Sequence, residues 1–325
     1  MIAPLASFPG DILAFATARA DEGIAVALVT LTGIEGSSPR AIGAQMAVAA
    51  DGRYLGSFSG GCIEAAVVAE ARKALAEGTA RLVRFGTGSP YLDIRLPCGG
   101  GIDLLFTPLG DVSAVRDVAT RLDARRQSAL LLTARGAEAV AIPGGPGWRG
   151  DDFCLPYAPR PRITPVGQGE DLMATARLAQ FFGAETRPFS PIAHDVEALA
   201  GWGIDAGHLA TRSAPPRLPT DAWTALVFLF HDCDWEEALL PAALDLPCFY
   251  LGAVGSRRSH EARLGMLRAA GVGAAALASL RAPVGLIPST RDPATLAMSL
   301  VADILGAYQA MCETRGPLRA LETAR

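Results

Sequence analysis

The chain has 325 residues, half of them apolar and 19% charged, a globular composition with room for about two cores at roughly 150 residues per domain. A formal net charge of −4 with no block of like charges argues against general nucleic-acid binding. The longest strongly apolar runs, such as 225–230, are strand-length, and no basic residue precedes Arg19, so neither a membrane span nor a secretory signal is expected. Six cysteines in this length are not a disulfide framework, and free thiols in a reducing cytosol are expected. Of 29 basic residues only Lys73 is lysine, and no Gly-rich loop precedes it, which removes a P-loop nucleotide hydrolase. A GC-rich genome accounts for the arginine bias.

In chain order, an amphipathic helix is predicted over 8–22, with Ile12, Phe15, Ala16 and Ala20 on one side. Residues 24–32 read as a buried strand, and 33–43 as a turn-rich loop. Strands at 45–49 and 54–58 flank Asp51-Gly52, a hairpin signal. A helix over 63–77 ends at Gly78. Strands at 81–85 and 102–108, a helix over 112–126 and strands at 129–133 and 137–143 finish the first half. Residues 144–162 are rich in Gly, Pro and charge with no period, and read as a linker or edge loop.

The second half alternates strands (163–166, 184–189, 223–231, 248–251, 284–287) with helices (171–182, 194–202, 235–243, 259–270, 293–312). That pattern implies βαβ units and a parallel sheet. The expected fold class is α/β. An N-terminal α/β domain spans 1–145, a linker 146–162, a Rossmann-like parallel-sheet domain 163–312 and a tail 313–325.

Six motifs could carry chemistry. Ser59-Gly60-Gly61-Cys62-Ile63-Glu64 puts a cysteine where a Gly loop enters a helix. Free N–H groups and the positive helix end there favour an anion and a more acidic thiol. The plain alternative is a buried small cysteine with Glu64 as a helix-start charge. In Pro97-Cys98-Gly99-Gly100-Gly101 three glycines permit close backbone approach. The two cysteines lie 36 residues apart, without C-x-x-C and with no histidine before His194, so a zinc site in this half is not expected. The loop holding Ser37, Ser38, Pro39 and Arg40 suits phosphate or carboxylate, and by itself reads as an ordinary exposed loop.

In the second half, Gly167-Gln168-Gly169 follows a strand and precedes a helix, as in a dinucleotide-binding turn. Leu172 stands where the third glycine belongs, Glu170 and Asp171 bring negative charge, and Ser190 stands where an acidic residue would hold a ribose. NAD or NADP binding is therefore not expected. Gly255-Ser256-Arg257-Arg258 opens a helix after a strand and reads as an anion site. His231 and Asp232 close a buried-looking strand. They fit either metal or proton chemistry or a plain polar strand end.

Taken together, GSSPR, SGGCIE, PCGGG, HD, GxxGSRR and the closing helix after Arg291-Asp292-Pro293 resemble the XdhC/CoxI family, over about 12–110 and 160–312. The resemblance implies an accessory protein for molybdenum hydroxylases such as xanthine dehydrogenase, a chaperone rather than a catalyst. It would bind molybdenum cofactor (molybdopterin) as cargo, protect its sulfurated form, meet a cysteine desulfurase and pass the cofactor to the apo-hydroxylase, often as a homodimer. It implies Cys62 and Cys98 as soft donors to molybdenum. Ser37, Arg40, Gly60, Gly61, Glu64, Gly99, Gly100, Gly101, His231, Asp232, Gly255, Ser256, Arg257 and Arg258 would form the rest of the binding set.

The chain departs from the family pattern at the dinucleotide-like turn, at Ser190 and over 285–289. The cysteine half is intact. Two other readings differ in class: a nicotinamide-dependent oxidoreductase using the Rossmann-like half, and a cysteine enzyme with Cys62 as nucleophile.

Overall fold

In the computed structural model, residues 8–89, 99–142, 144–230 and 234–315 are described. They divide between Pro159 and Arg160 into two compact units.

The first unit opens with α1 (Pro9–Asp21) and β1 (Val26–Glu35), then β2 (Gln45–Ala49) and β3 (Tyr54–Leu55). Next come α2 (Glu64–Glu77), β4 (Arg81–Gly86), β5 (Gly101–Leu109) and α3 (Ser113–Asp123). Five of these strands form one antiparallel sheet in the order β3-β2-β1-β5-β4. β1 is central and almost wholly apolar, so both of its faces must be covered. Val26 and Leu28 face one core with Leu13 of α1 and Val118 of α3. Ala27, Val29 and Leu31 face the other, with Val67 and Ala71 of α2. The two-residue period of a strand sorts them. α2 stops at Gly78, whose φ of 69° is the left-handed cap glycine accepts.

β6 (Ser128–Thr133), β7 (Gly136–Val140), β8 (Gly147–Arg149) and β9 (Asp152–Tyr157) build a second antiparallel sheet, ordered β7-β6-β9-β8. The stretch expected to be a linker is thus largely sheet. Its Gly, Pro and charge hid a short buried strand: Phe153, Cys154 and Leu155 are buried, and β9 pairs along β6 from Tyr157 to Phe153. Trp148 packs edge-on to Phe153 at 5.3 Å. The buried Tyr157 hydroxyl donates to Gln45 Oε1 at 2.7 Å, and Gln45 Nε2 donates to Thr30 Oγ1 at 2.9 Å. That polar link ties β9 to the first sheet.

The second unit holds β10 (Arg162–Gly167), α4 (Gly169–Phe181), β11 (Glu185–Thr186), β12 (Phe189–Ser190), α5 (Ala193–Gly201), β13 (Gly207–His208) and β14 (Thr224–Leu229). α6 (Asp234–Ala243), β15 (Tyr250–Ala253), α7 (Arg257–Ala269), α8 (Ala274–Ser279), β16 (Leu280–Arg281) and α9 (Pro293–Arg315) complete it. The strand order β13-β12-β10-β14-β15-β16, parallel throughout, is the 3-2-1-4-5-6 order of a doubly wound sheet. One face packs on α4, α5 and α9 through Leu172, Leu199 and Leu300. The other packs on α6, α7 and α8 through Leu240, Leu267 and Leu277.

The strand expected at 184–189 is split by Pro188, which has no N–H for the ladder, into β11 and β12. The expected strand at 284–287 is not one; the last strand is β16, and 284–287 is irregular chain. α9 is long and apolar enough to cross a membrane. Leu300, Val301 and Ile304 on it are buried in the sheet core.

Candidate functional site

In the first unit the candidate residues gather where β1 and β4 end and β5 begins. Glu35 and Gly86 flank Gly101 in register. Thr87 N donates to Gly100 O at 3.1 Å, and Thr87 Oγ1 to Gly99 O at 3.0 Å. A Cβ on Gly100 would stand 2.6 Å from Ser37 O and 2.7 Å from Glu35 O. The glycine run therefore exists so that this backbone can lie directly on the Ser37 loop. Gly36 abuts Gly100 from the other side.

The cysteine loop joins the same cluster through Arg40, whose Nε donates to Ser57 O at 3.0 Å. Arg40's terminal nitrogens have no hydrogen-bond partner among the described residues. The loop over 36–40 thus meets Gly100 through Ser37 and the cysteine loop through Arg40. Cys98, His231 and Asp232 lie outside the described residues.

The loop over 57–63 is pinned at both ends by Phe58 and Ile63, each 1% exposed, and between them Cys62 is exposed. Glu64 organises it. Ser57 Oγ, Phe58 N and Ser59 N donate to its Oε1 at 2.8, 3.0 and 3.0 Å. Ser59 Oγ, Gly61 N and Ile63 N donate to Oε2 at 3.0, 2.8 and 3.2 Å. Burial pushes this carboxyl up. The Ser59 amide and the Ser57 and Ser59 hydroxyls outweigh it, leaving the pKa lowered to about 2.

These bonds correct one expectation. The amides around Gly60 and Gly61 were expected to be open to an oxyanion. Gly60 N instead donates to Ser57 Oγ at 3.0 Å, Gly61 N to Glu64, and Cys62 N to Ser59 Oγ at 3.1 Å. The protein's own carboxylate fills the anion slot at the helix start, so Glu64 holds the loop while Gly60, Gly61 and Cys62 stay exposed. Gly60 and Gly61, at φ of 74° and 124°, supply a backbone path other residues resist.

Sequence reasoning missed Ser57 and gave no role to Ser59 of the motif; both complete the loop. It missed Arg84 as well, which pairs with Glu35 and Asp103 and donates from Nε to Thr87 O at 2.9 Å. Arg84 carries no local signal, because its ion-pair partners come from other strands, whereas Ser57 and Ser59 bond Glu64 within their own loop.

In the second unit, Gly167 lets β10 lie close against Leu229; a Cβ there would be 2.7 Å from Leu229 Cβ. Gly169 N, where a pyrophosphate would be received, donates to Asp195 Oδ2 at 2.8 Å, and Ser190 Oγ donates to the same oxygen at 2.9 Å. A buried carboxylate thus holds the turn.

Gly255, Ser256, Arg257 and Arg258 line an open cleft of about 1220 Å3 with Phe230 and the irregular chain over 283–290. Ser256 caps α7, accepting from Ser259 N at 3.1 Å. Glu236 and Arg263 line the same cleft. They form a buried pair: Nε to Oε2 and Nη2 to Oε1, both 2.7 Å, with Nη2 also reaching Val254 O at 2.8 Å. Neither residue was singled out from sequence, since both sit on ordinary helical positions.

An antiparallel α/β unit presenting a carboxylate-braced cysteine loop, joined to a Rossmann-type unit, defines the class of protein. The XdhC and CoxI family model matches residues 19–86, and the XdhC Rossmann domain model residues 164–304. The chain is 37% identical over 295 residues to the molybdenum cofactor insertion chaperone PaoD of Escherichia coli K12, covering 90% of this chain and 86% of PaoD. It is 25% identical to the uncharacterized protein YqeB of the same organism, covering 86% of this chain and 43% of YqeB. A crystal structure described as a xanthine dehydrogenase from Bacillus halodurans aligns with a TM-score of 0.75 at 20% identity, over 94% of this chain and 98% of that one, a likeness of fold. The chain belongs to the XdhC/CoxI family.

Proposed function

We propose that this chain is a cofactor chaperone whose cargo is the molybdenum cofactor, received at the Cys62 loop and delivered to a molybdenum hydroxylase. The observation that carries the reading is the geometry of Cys62, an exposed thiol on a loop fixed by six hydrogen bonds to one buried carboxylate. The likeness to PaoD supplies the cargo. A thiolate is a soft donor matched to molybdenum or its sulfur ligands. Arg40, with its terminal nitrogens unspent, suits the anionic oxygens of the same cargo. Gly99 is the exposed member of the glycine run, and Cys98 is proposed as the second thiol.

On this reading the protein guards or aids sulfuration of the cofactor, meets a cysteine desulfurase, works in the cytoplasm as a homodimer and catalyses no reaction itself. Asp195 supports excluding NAD(P), since its carboxylate already occupies the Gly169 amide and would repel a pyrophosphate.

The test is purification from a molybdenum-replete host with metal analysis. Wild type should retain molybdenum, and Cys62→Ala and Cys98→Ala should each lose most of it. Undiminished molybdenum in both variants would sink the thiol role. Calorimetry with NAD and NADP should show no binding, and tight binding of either would revive the oxidoreductase reading.

A further inference from the structure

The cleft of the second unit has a donor the fold does not use. Arg263 is 3% exposed and lines the cleft. Its Nε and Nη2 are spent on Glu236 and Val254 O. Its Nη1 is buried with no hydrogen-bond partner. A guanidinium carries five N–H donors, and buried donors are rarely left unmade without a ligand to take them.

Three further features meet there. α7 is a 13-residue helix whose N-terminus opens on the cleft at Ser256, and such an end attracts negative charge. Arg257 and Arg258, in its first turn, are exposed and line the cleft; cations are disfavoured there without an anion to face. Gly255, at φ 138°, brings the loop over Arg263; a Cβ on it would stand 3.6 Å from Nη2. Against these, Asp171 puts one carboxylate on the wall, and Glu236 is neutralised by Arg263.

We infer that this cleft binds the phosphoryl group of an organic phosphate, held by Arg257, Arg258, the α7 N-terminus and the spare Nη1 of Arg263. The organic part lies along the apolar wall of Phe230, Leu286 and Ile287. In a doubly wound sheet the phosphate usually sits on the first βα turn. Here Asp195 holds that turn, and the anion site is moved to the turn after β15. The inference rests on these residues alone and stands whether or not Cys62 takes a cofactor.

The experiment titrates the full-length protein with inorganic pyrophosphate, and separately with inorganic phosphate, at low salt by calorimetry. Saturable binding is expected that weakens as salt rises. Each lost arginine contact should cost about tenfold in affinity. The Arg257→Ala/Arg258→Ala pair, on exposed positions, should therefore bind at least tenfold more weakly with an unchanged unfolding midpoint. Arg263→Lys keeps the charge beside Glu236 and should also weaken binding, while Asp171→Asn should tighten it. Preference for pyrophosphate marks a diphosphate-bridged ligand, and parity with phosphate a terminal monoester; both uphold the site. Absence of saturable binding to wild type, or wild-type affinity in the double variant, overturns it. Should Arg263→Lys not fold, the double variant decides. Cys62→Ala should bind pyrophosphate as wild type does, so failure here is separable from failure of the cargo reading.

Discussion

Glu64 shows how one residue can serve a site without touching its ligand. Its carboxylate is 4% exposed and receives six donors. Glu64→Ala would orphan those donors and should cost about 2–4 kcal/mol of stability, read by urea unfolding. The pH dependence follows from the lowered pKa. A carboxyl whose folded pKa is depressed to about 2 stabilises the fold fully above its unfolded value, near 4.5, and loses that contribution as pH falls toward about 2. Wild type should lose more stability than Glu64→Gln between those two values. Parallel stability curves for the two proteins there would show that the charge is not what holds the loop.

At the scale of elements, the site depends on backbone packed directly on backbone. Gly100→Ala would place a methyl 2.6 Å from Ser37 O and 2.7 Å from Glu35 O. Glu35 lies at the end of β1 in register with Gly101, so its carbonyl cannot retreat without disturbing that pairing. The substitution should cost about 2–3 kcal/mol by thermal unfolding and change the rate at which Cys62 reacts with a thiol reagent. Gly61→Ala, at φ 124°, should cost about 1–3 kcal/mol through backbone strain alone. Gly110→Ala is the control: nothing lies within 4 Å of its Cβ position, and the change should stay within about 0.5 kcal/mol. A control as damaging as Gly100→Ala would refute the packing argument.

At the scale of the whole molecule, each unit buries both faces of its own sheet in cores of its own. Leu300, fully buried in α9, belongs to the second unit. Leu300→Ala should cost about 2–5 kcal/mol. Hydrogen exchange should speed in β10, β14 and β15 while β1, β2 and β5 keep their protection. Equal loss of protection in both units would show that they unfold as one.

What the sequence determined by itself was what short-range patterning carries. The buried β-rich run of β1, the hairpin at Asp51-Gly52, the stop at Gly78 and the strand-helix alternation after Arg160 are all local, and all appear in the fold. So did the family, because GSSPR, SGGCIE and PCGGG are contiguous motifs. The tertiary structure decided what depends on partners distant in the chain. The stretch 147–157 became sheet because Tyr157 and Phe153 found the first unit's core. The amides of Gly60, Gly61 and Cys62 closed on Glu64 and two serines rather than opening to a ligand. Arg263 became a cleft residue because Glu236, 27 residues away, holds it there. Local spacing foretells where a side chain can point. Which group meets it is settled only when the chain closes and each buried donor must find an acceptor.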